Sequence, residues 1–194
     1  RYPSGRTSSI IAAVETEWDQ PRFILEANAL TEVGISAFEG ENTFARFEVG
    51  GEIAMAALRR NTLEFEWYFQ GPFPGTDSLP YSRWTYVGGS GTLHTFPVAA
   101  FPGDRVAFVE TTYTLPLPAA LTLPLLGTPA LDLLHYVAMA WSQDEKRRFE
   151  QNVGFRLGYR IAYLRVLTNP RDFGNPKISV GVTMPRKSYP WQKE

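Results

Sequence analysis

Thr62-Leu63-Glu64-Phe65-Glu66-Trp67-Tyr68-Phe69-Gln70 is the stretch that decides the fold. Leu63, Phe65, Trp67 and Phe69 alternate with Thr62, Glu64, Glu66 and Gln70. Successive side chains of a strand point to opposite faces, so this segment is a strand with one apolar and one polar side.

The same two-residue repeat recurs on either side. Phe23, Leu25, Ala27, Ala29, Thr31, Val33 and Ile35 alternate with residues such as Arg22, Glu26, Asn28 and Glu32. Ala45, Phe47, Val49, Gly51, Ile53, Met55 and Ala57 lie opposite Arg46, Glu48 and Glu52, and Ile178, Val180, Val182 and Met184 lie opposite Lys177, Ser179 and Thr183. Weaker alternation at 10–18, 106–115, 133–141 and 155–167 brings the total to about eight strands. Asp19-Gln20-Pro21, Glu39-Gly40-Glu41-Asn42, Arg59-Arg60-Asn61 and Asn169-Pro170-Arg171-Asp172 supply the turns between them. The expected architecture is a single all-β domain, 1–194, of antiparallel up-and-down hairpins. Three longer connections interrupt it, at 71–103, 116–130 and 142–152, and a polar tail occupies 186–194.

Composition narrows the function. Nineteen Lys and Arg against 20 acids give a net charge of -1, and no basic block could track a phosphate backbone, so a nucleic-acid partner is not expected. The absence of cysteine excludes thiolate metal sites and thiol nucleophiles, and His94 and His135 are the only histidines; no metal or cofactor is expected. No run of about 18 apolar residues could form a membrane helix. Strands are another matter. Those of soluble proteins average about five or six residues, whereas a tilted membrane-spanning strand takes about nine to eleven. Several candidates here are that long, and the chain is rich in aromatics at 14%. With apolar sides toward lipid, Glu26, Glu48, Glu52, Glu64, Glu66, Arg46, Arg156 and Arg160 would stack in mixed-charge rows lining a lumen. Trp18, Trp67, Trp84, Trp141 and Tyr159 would stand near strand ends as interfacial girdles.

Gly88-Gly89-Ser90-Gly91-Thr92-Leu93-His94-Thr95-Phe96 is followed by Phe101-Pro102-Gly103-Asp104-Arg105-Val106 and by Val109-Glu110-Thr111-Thr112-Tyr113-Thr114-Leu115-Pro116. This order resembles the C-terminal barrel of the bacterial surface antigen superfamily, which holds outer-membrane protein assembly factors and two-partner secretion transporters. There, a glycine-led loop bearing a Leu or Val, Arg, Gly, Phe or Tyr motif folds back into the barrel, and a Gly-Asp pair opens a strand carrying a Glu. The similarity spans roughly 88–185. It implies a loop motif at Leu93, His94, Phe96, Gly103 and Asp104, and lumen residues at Glu64, Glu66, Glu110, Arg156 and Arg160. Three departures accompany it. His94-Thr95 stands where the family has Arg-Gly, so the guanidinium that pairs with lumen carboxylates is absent, and a His could bond a lumen acid in its place. Family barrels usually have sixteen strands behind periplasmic domains. The chain also continues past Met184 rather than ending on an aromatic residue.

Catalytic constellations are thin. Gly88-Gly89-Ser90-Gly91 lacks the Gly-x-Ser-x-Gly elbow, and nothing orients Ser90, His94 and Asp104 as a triad. Glu64 and Glu66 lie about 7 Å apart by strand rise, a spacing that suits paired-carboxylate chemistry but equally suits lumen charges. Asp77, Asp104 and Asp172 have no calcium-loop spacing. Arg59-Arg60 and Lys146-Arg147-Arg148 read as solvated turn charges within reach of anionic lipid headgroups.

The resulting expectation is a non-enzymatic transmembrane β-barrel of the bacterial outer membrane, a reduced relative of insertion and translocation factors serving as a scaffold or assembly subunit. Its partners would be membrane lipid and other outer-membrane or periplasmic proteins, or a second copy. A soluble lipocalin-like binder of an apolar ligand is the alternative, and an outer-membrane lipid hydrolase or acyltransferase ranks third.

Overall fold

The computed structural model describes residues 8–35, 43–58, 60–89, 91–143, 147–159 and 161–182. Its strands are β1 (Ser8–Gln20), β2 (Phe23–Ile35), β3 (Phe44–Ala56), β4 (Thr62–Pro72), β5 (Thr85–Val87), β6 (Phe101–Gly103), β7 (Arg105–Pro116), β8 (Ala130–Trp141), β9 (Arg148–Gly158), β10 (Ala162–Asn169) and β11 (Asp172–Val182). β5 and β6 form a small hairpin inside the long connection, and the other nine make one antiparallel meander in chain order.

Two strand expectations are corrected. Segment 155–167 is not one strand: it breaks after Gly158 and resumes at Ala162, where the Tyr159 amide donates to the Ala162 carbonyl at 2.8 Å. Much of 142–152 is not a connection either, because β9 begins at Arg148. Its charges mislead because they occupy alternate positions on the polar face. The main sheet therefore has nine strands rather than about eight, and it is open: β1 and β11 are its edges, and among the described residues no pairing joins them.

Register gives the two faces different characters. On one side, Phe23, Met55, Leu63, Tyr113, Leu133, Phe155, Val166 and Ile178 lie in one row across eight strands. This apolar face is uncovered toward the sheet edges, where Val14 is 69%, Val180 78% and Val182 84% exposed. Phe65 and Trp67 lie on it half-buried. Trp67 is mid-strand in β4 and not at a strand end, because its ring lies over Gly51 of the neighbouring strand.

The core sits on the opposite, polar face. There Val87 and Leu93 of the long connection close over Val106, Phe108, Leu134, Tyr136, Ala138, Ala140 and Leu167. The connection 73–103 thus folds back across the sheet instead of extending from its end. The expected positions Ser90, Arg59, Arg160, Lys146, Met184 and the tail 186–194 lie outside the described residues.

A Cβ at Gly51 would fall 2.5 Å from the Trp67 ring and against the Glu26 carbonyl. Gly51→Val should therefore cost about 1–3 kcal/mol by overpacking, read as a lower denaturant midpoint with an unchanged slope. Gly91→Ala, where nothing lies within 4 Å, is the control and should leave the midpoint in place.

Candidate functional site

Two features occupy the polar face: the folded-back loop and a row of carboxylates. The loop is held at both ends. Near its start, Glu32 of β2 is 1% exposed and accepts from Arg46 Nε of β3 at 2.6 Å and from Arg83 Nε of the loop at 3.0 Å. Gln70 of β4 donates to the Arg83 carbonyl and bonds Thr85. An ion triad and an amide thus tie the loop to three successive strands, the kind of satisfied network a buried carboxylate requires.

At the loop tip, the Gly89 amide is shared between the Leu93 and Phe96 carbonyls at 3.1 and 3.2 Å, and the Gly88 amide donates to Thr92 Oγ1 at 2.8 Å. Gly88 has φ +126°, and a Cβ there would strike the Pro97 carbonyl. This tight fold presents Leu93, fully buried, and His94, 6% exposed, to the sheet. Phe96 packs edge-on against Phe101 at 5.0 Å. Thr95 accepts from Asn152 Nδ2 through its hydroxyl at 2.7 Å and donates its amide to Asn152 Oδ1 at 3.0 Å. A glycine at 95 could make only the second of these bonds.

His94 corrects an expectation. Among the described residues no acid bonds it; Arg165 Nη1 of β10 lies 3.2 Å from its Nε2, and Tyr136 meets its ring edge-on at 5.1 Å. A guanidinium only donates, so Nε2 accepts, and the imidazole is neutral with its proton on Nδ1. Burial, then the charges of Arg165 and Lys177, push its pKa down to about 4.

Gly103 and Asp104 stand where the loop re-enters the sheet. A Cβ at Gly103 would come within 2.9 Å of the Trp141 backbone, so only glycine lets this corner close. Asp104 is fully buried and accepts from the Leu79 amide at 3.4 Å and from Arg105 at 3.2 Å. His94 and Asp104 are therefore each bound to a different arginine.

The expected mixed-charge stacking is only partly realised. Asp132 of β8 does pair with Arg156 of β9 at 2.6 Å. The central row is acidic throughout: Glu17, Glu26, Glu52, Glu66 and Glu110 stand directly opposite one another across β1, β2, β3, β4 and β7. Like charges in register oppose sheet formation, which an aqueous cleft relieves by screening. A cleft of about 810 Å³ opens over Glu17, Glu26, Glu52 and Glu66 of this row. The row ends at Tyr136, opposite Glu110. Glu64 shares the face one position along, beside Thr112.

No protein-family model, curated protein or solved structure matches this chain. The surface-antigen resemblance therefore rests on its residues alone. The structure brings Leu93, His94 and Phe96 together with one another and with the sheet, and leaves Gly103 and Asp104 at a separate corner. Sequence reasoning missed Arg165, Asn152, Tyr136 and Asp132. The loop partners of Asn152 and Arg165 lie 57 and 71 residues away, Tyr136 meets His94, and Asp132 bonds Thr114 and Arg156; no local pattern joins any of these pairs.

The pH dependence follows from His94. Between its unfolded value near 6.5 and its folded value near 4, the unfolded chain binds the proton and the folded chain does not, so stability falls as pH falls. The full loss is about 3 kcal/mol and is complete below pH 4. Amide protection factors of 88–96, corrected for the intrinsic pH dependence of exchange, should fall over that window in the wild type. His94→Gln, which keeps an acceptor without a titration, should flatten the dependence; equal slopes would remove His94 as its source.

Proposed function

We propose that this sheet is the wall of an outer-membrane β-barrel, its apolar face toward lipid and its polar face, with the folded-back loop, toward a lumen. The carrying observation is the inversion of faces. Ion pairs, the acid row and the tucked loop share one side, while large apolar residues stand uncovered on the other. A lipocalin-like binder would enclose its apolar side and wet its charges.

Strand dimensions support the reading. Most of the nine strands have 11 to 13 residues, enough to cross the hydrocarbon layer when tilted. The outward positions of one strand end form an aromatic belt: Phe73, Phe47, Phe69 and Trp141 meet at centroid distances of 5.4, 5.5 and 6.3 Å. Such belts sit at membrane interfaces.

Nine alternating strands leave β1 and β11 pointing the same way. Closure by antiparallel pairing alone thus takes an odd number of further strands, supplied by another segment or another chain. We read the protein as a scaffold or assembly subunit resembling the surface-antigen barrels, with the loop plugging the lumen through Leu93, His94 and Phe96. Catalysis has no place in this reading.

The protein should stay in solution only with detergent and should migrate differently on a gel before and after boiling. Its mass in detergent gives the number of copies in one closed wall. A monodisperse species in plain buffer with no heat-dependent migration would overturn the proposal.

A further inference from the structure

The last outward row at the loop end runs Phe47, Gly71, Arg105, Trp141 across β3, β4, β7 and β8. The stem of Arg105 lies beside the aromatic residues of this row: its Cγ and the Phe47 ring both flank Gly71. Its head turns toward the loop end, where Nη1 meets Asp104 and Nη2 donates to the Asp77 carbonyl at 3.3 Å. A long cationic side chain that buries its stem and lifts its charge past an apolar surface is the behaviour expected at a membrane boundary.

A second arginine joins it. Arg147, exposed at the start of the next strand, places its guanidinium carbon 5.7 Å from the Trp141 ring centre. Arg105 and Arg147 line a pocket of about 450 Å³ together with Thr76, Ser142, Gln143 and the exposed carboxylate of Asp77. Thr76 is held at the top of β3, where its hydroxyl accepts from the Ala45 amide at 3.3 Å. The pocket thus offers two guanidiniums, hydroxyl and amide donors, one open carboxylate and an indole wall directly above the aromatic belt.

We propose that this pocket binds a membrane lipid headgroup of the phosphoethanolamine type. The phosphate lies between Arg105 and Arg147, and the ammonium beside Asp77. Guanidiniums favour phosphate because their planar fork matches its oxygens. Asp77 disfavours a headgroup carrying only negative charge and favours one with a cationic end. The acyl chains then run down the apolar face past Trp141 and Phe69. This inference rests on the membrane reading above.

The test is native mass spectrometry of the full chain in detergent micelles, titrated separately with phosphatidylethanolamine, phosphatidylglycerol and a phosphate-free galactosyl diacylglycerol. The wild type should retain one phosphatidylethanolamine, with at least about tenfold weaker retention of the other two. Arg147→Gln, an exposed position whose change should leave the fold intact, should lose about tenfold. Arg171→Gln, outside the pocket, should lose nothing. Equal retention of all three lipids, no effect of Arg147→Gln, or displacement of the lipid by equimolar inorganic phosphate would each overturn the proposal. Heat-dependent migration of the same samples separates the two claims. Samples that keep it without lipid preference sink the pocket alone, and a chain monodisperse in plain buffer sinks both.

Discussion

Everything in this structure depends on strand register. With a side-chain period of two, slipping any pair by one residue would carry a whole set of apolar side chains to the charged face. The hairpins prevent it at close range. Gln20 opposes Phe23, so a two-residue turn fixes the first pair; in the last pair the register shifts between Leu167 and Asn169, so the pairing from Leu167 to Ala162 is not set by the Asn169–Asp172 turn. Across the middle, packing adds a further constraint: Trp67 covers the bare backbone of Gly51, directly opposite it in the neighbouring strand. Because the register holds over nine strands, single-strand alternation becomes a two-sided sheet with one apolar and one charged surface.

The loop exploits the charged surface without contradicting it. A polar face has no hydrophobic core of its own, yet Val106, Phe108, Leu134, Tyr136, Ala138 and Ala140 form an apolar island there. Leu93 and Val87 bury this island, and the polar groups around it, Asn152, Arg165 and Gln70, take up the hydrogen bonds that a buried loop must satisfy. Gly88 and Gly103 are required because the loop approaches backbone at both ends: the Pro97 carbonyl at one and Trp141 at the other.

The strands were legible in the sequence because period two is a local signal, and the apolar and polar positions of 23–35, 45–57 and 62–70 fall on the faces their alternation assigns. Legibility failed where polarity and loop composition coincide. Arg148, Glu150 and Asn152 read as a connection because, with Gln151, four residues in five are polar and look solvated, though the three share one strand face and leave Phe149 and Val153 to the other. Tyr159 passed as strand because its neighbours on both sides alternate. At the site, the glycines and Leu93 were visible as a motif, but the wall residues that receive them were not. Contacts such as His94 with Arg165 exist only once several intervening strands have set their register.

Charge on the polar face is divided, and the division explains why position 94 carries a neutral acceptor. The β1 to β7 side bears the five glutamates in register, while the β9 to β11 side bears Arg156, Arg165 and Lys177, of which Asp132 offsets Arg156. The loop tip settles over β8, at the boundary. A guanidinium at 94 would face Arg165 and Lys177 at short range in a buried setting, where like charges repel far more strongly than in water. An imidazole held neutral accepts from Arg165 instead, and so turns the same cation from an obstacle into an anchor. The loop tip stays docked through this bond while the ring is neutral, and the Glu32–Arg83 pair holds the earlier part of the loop independently of it.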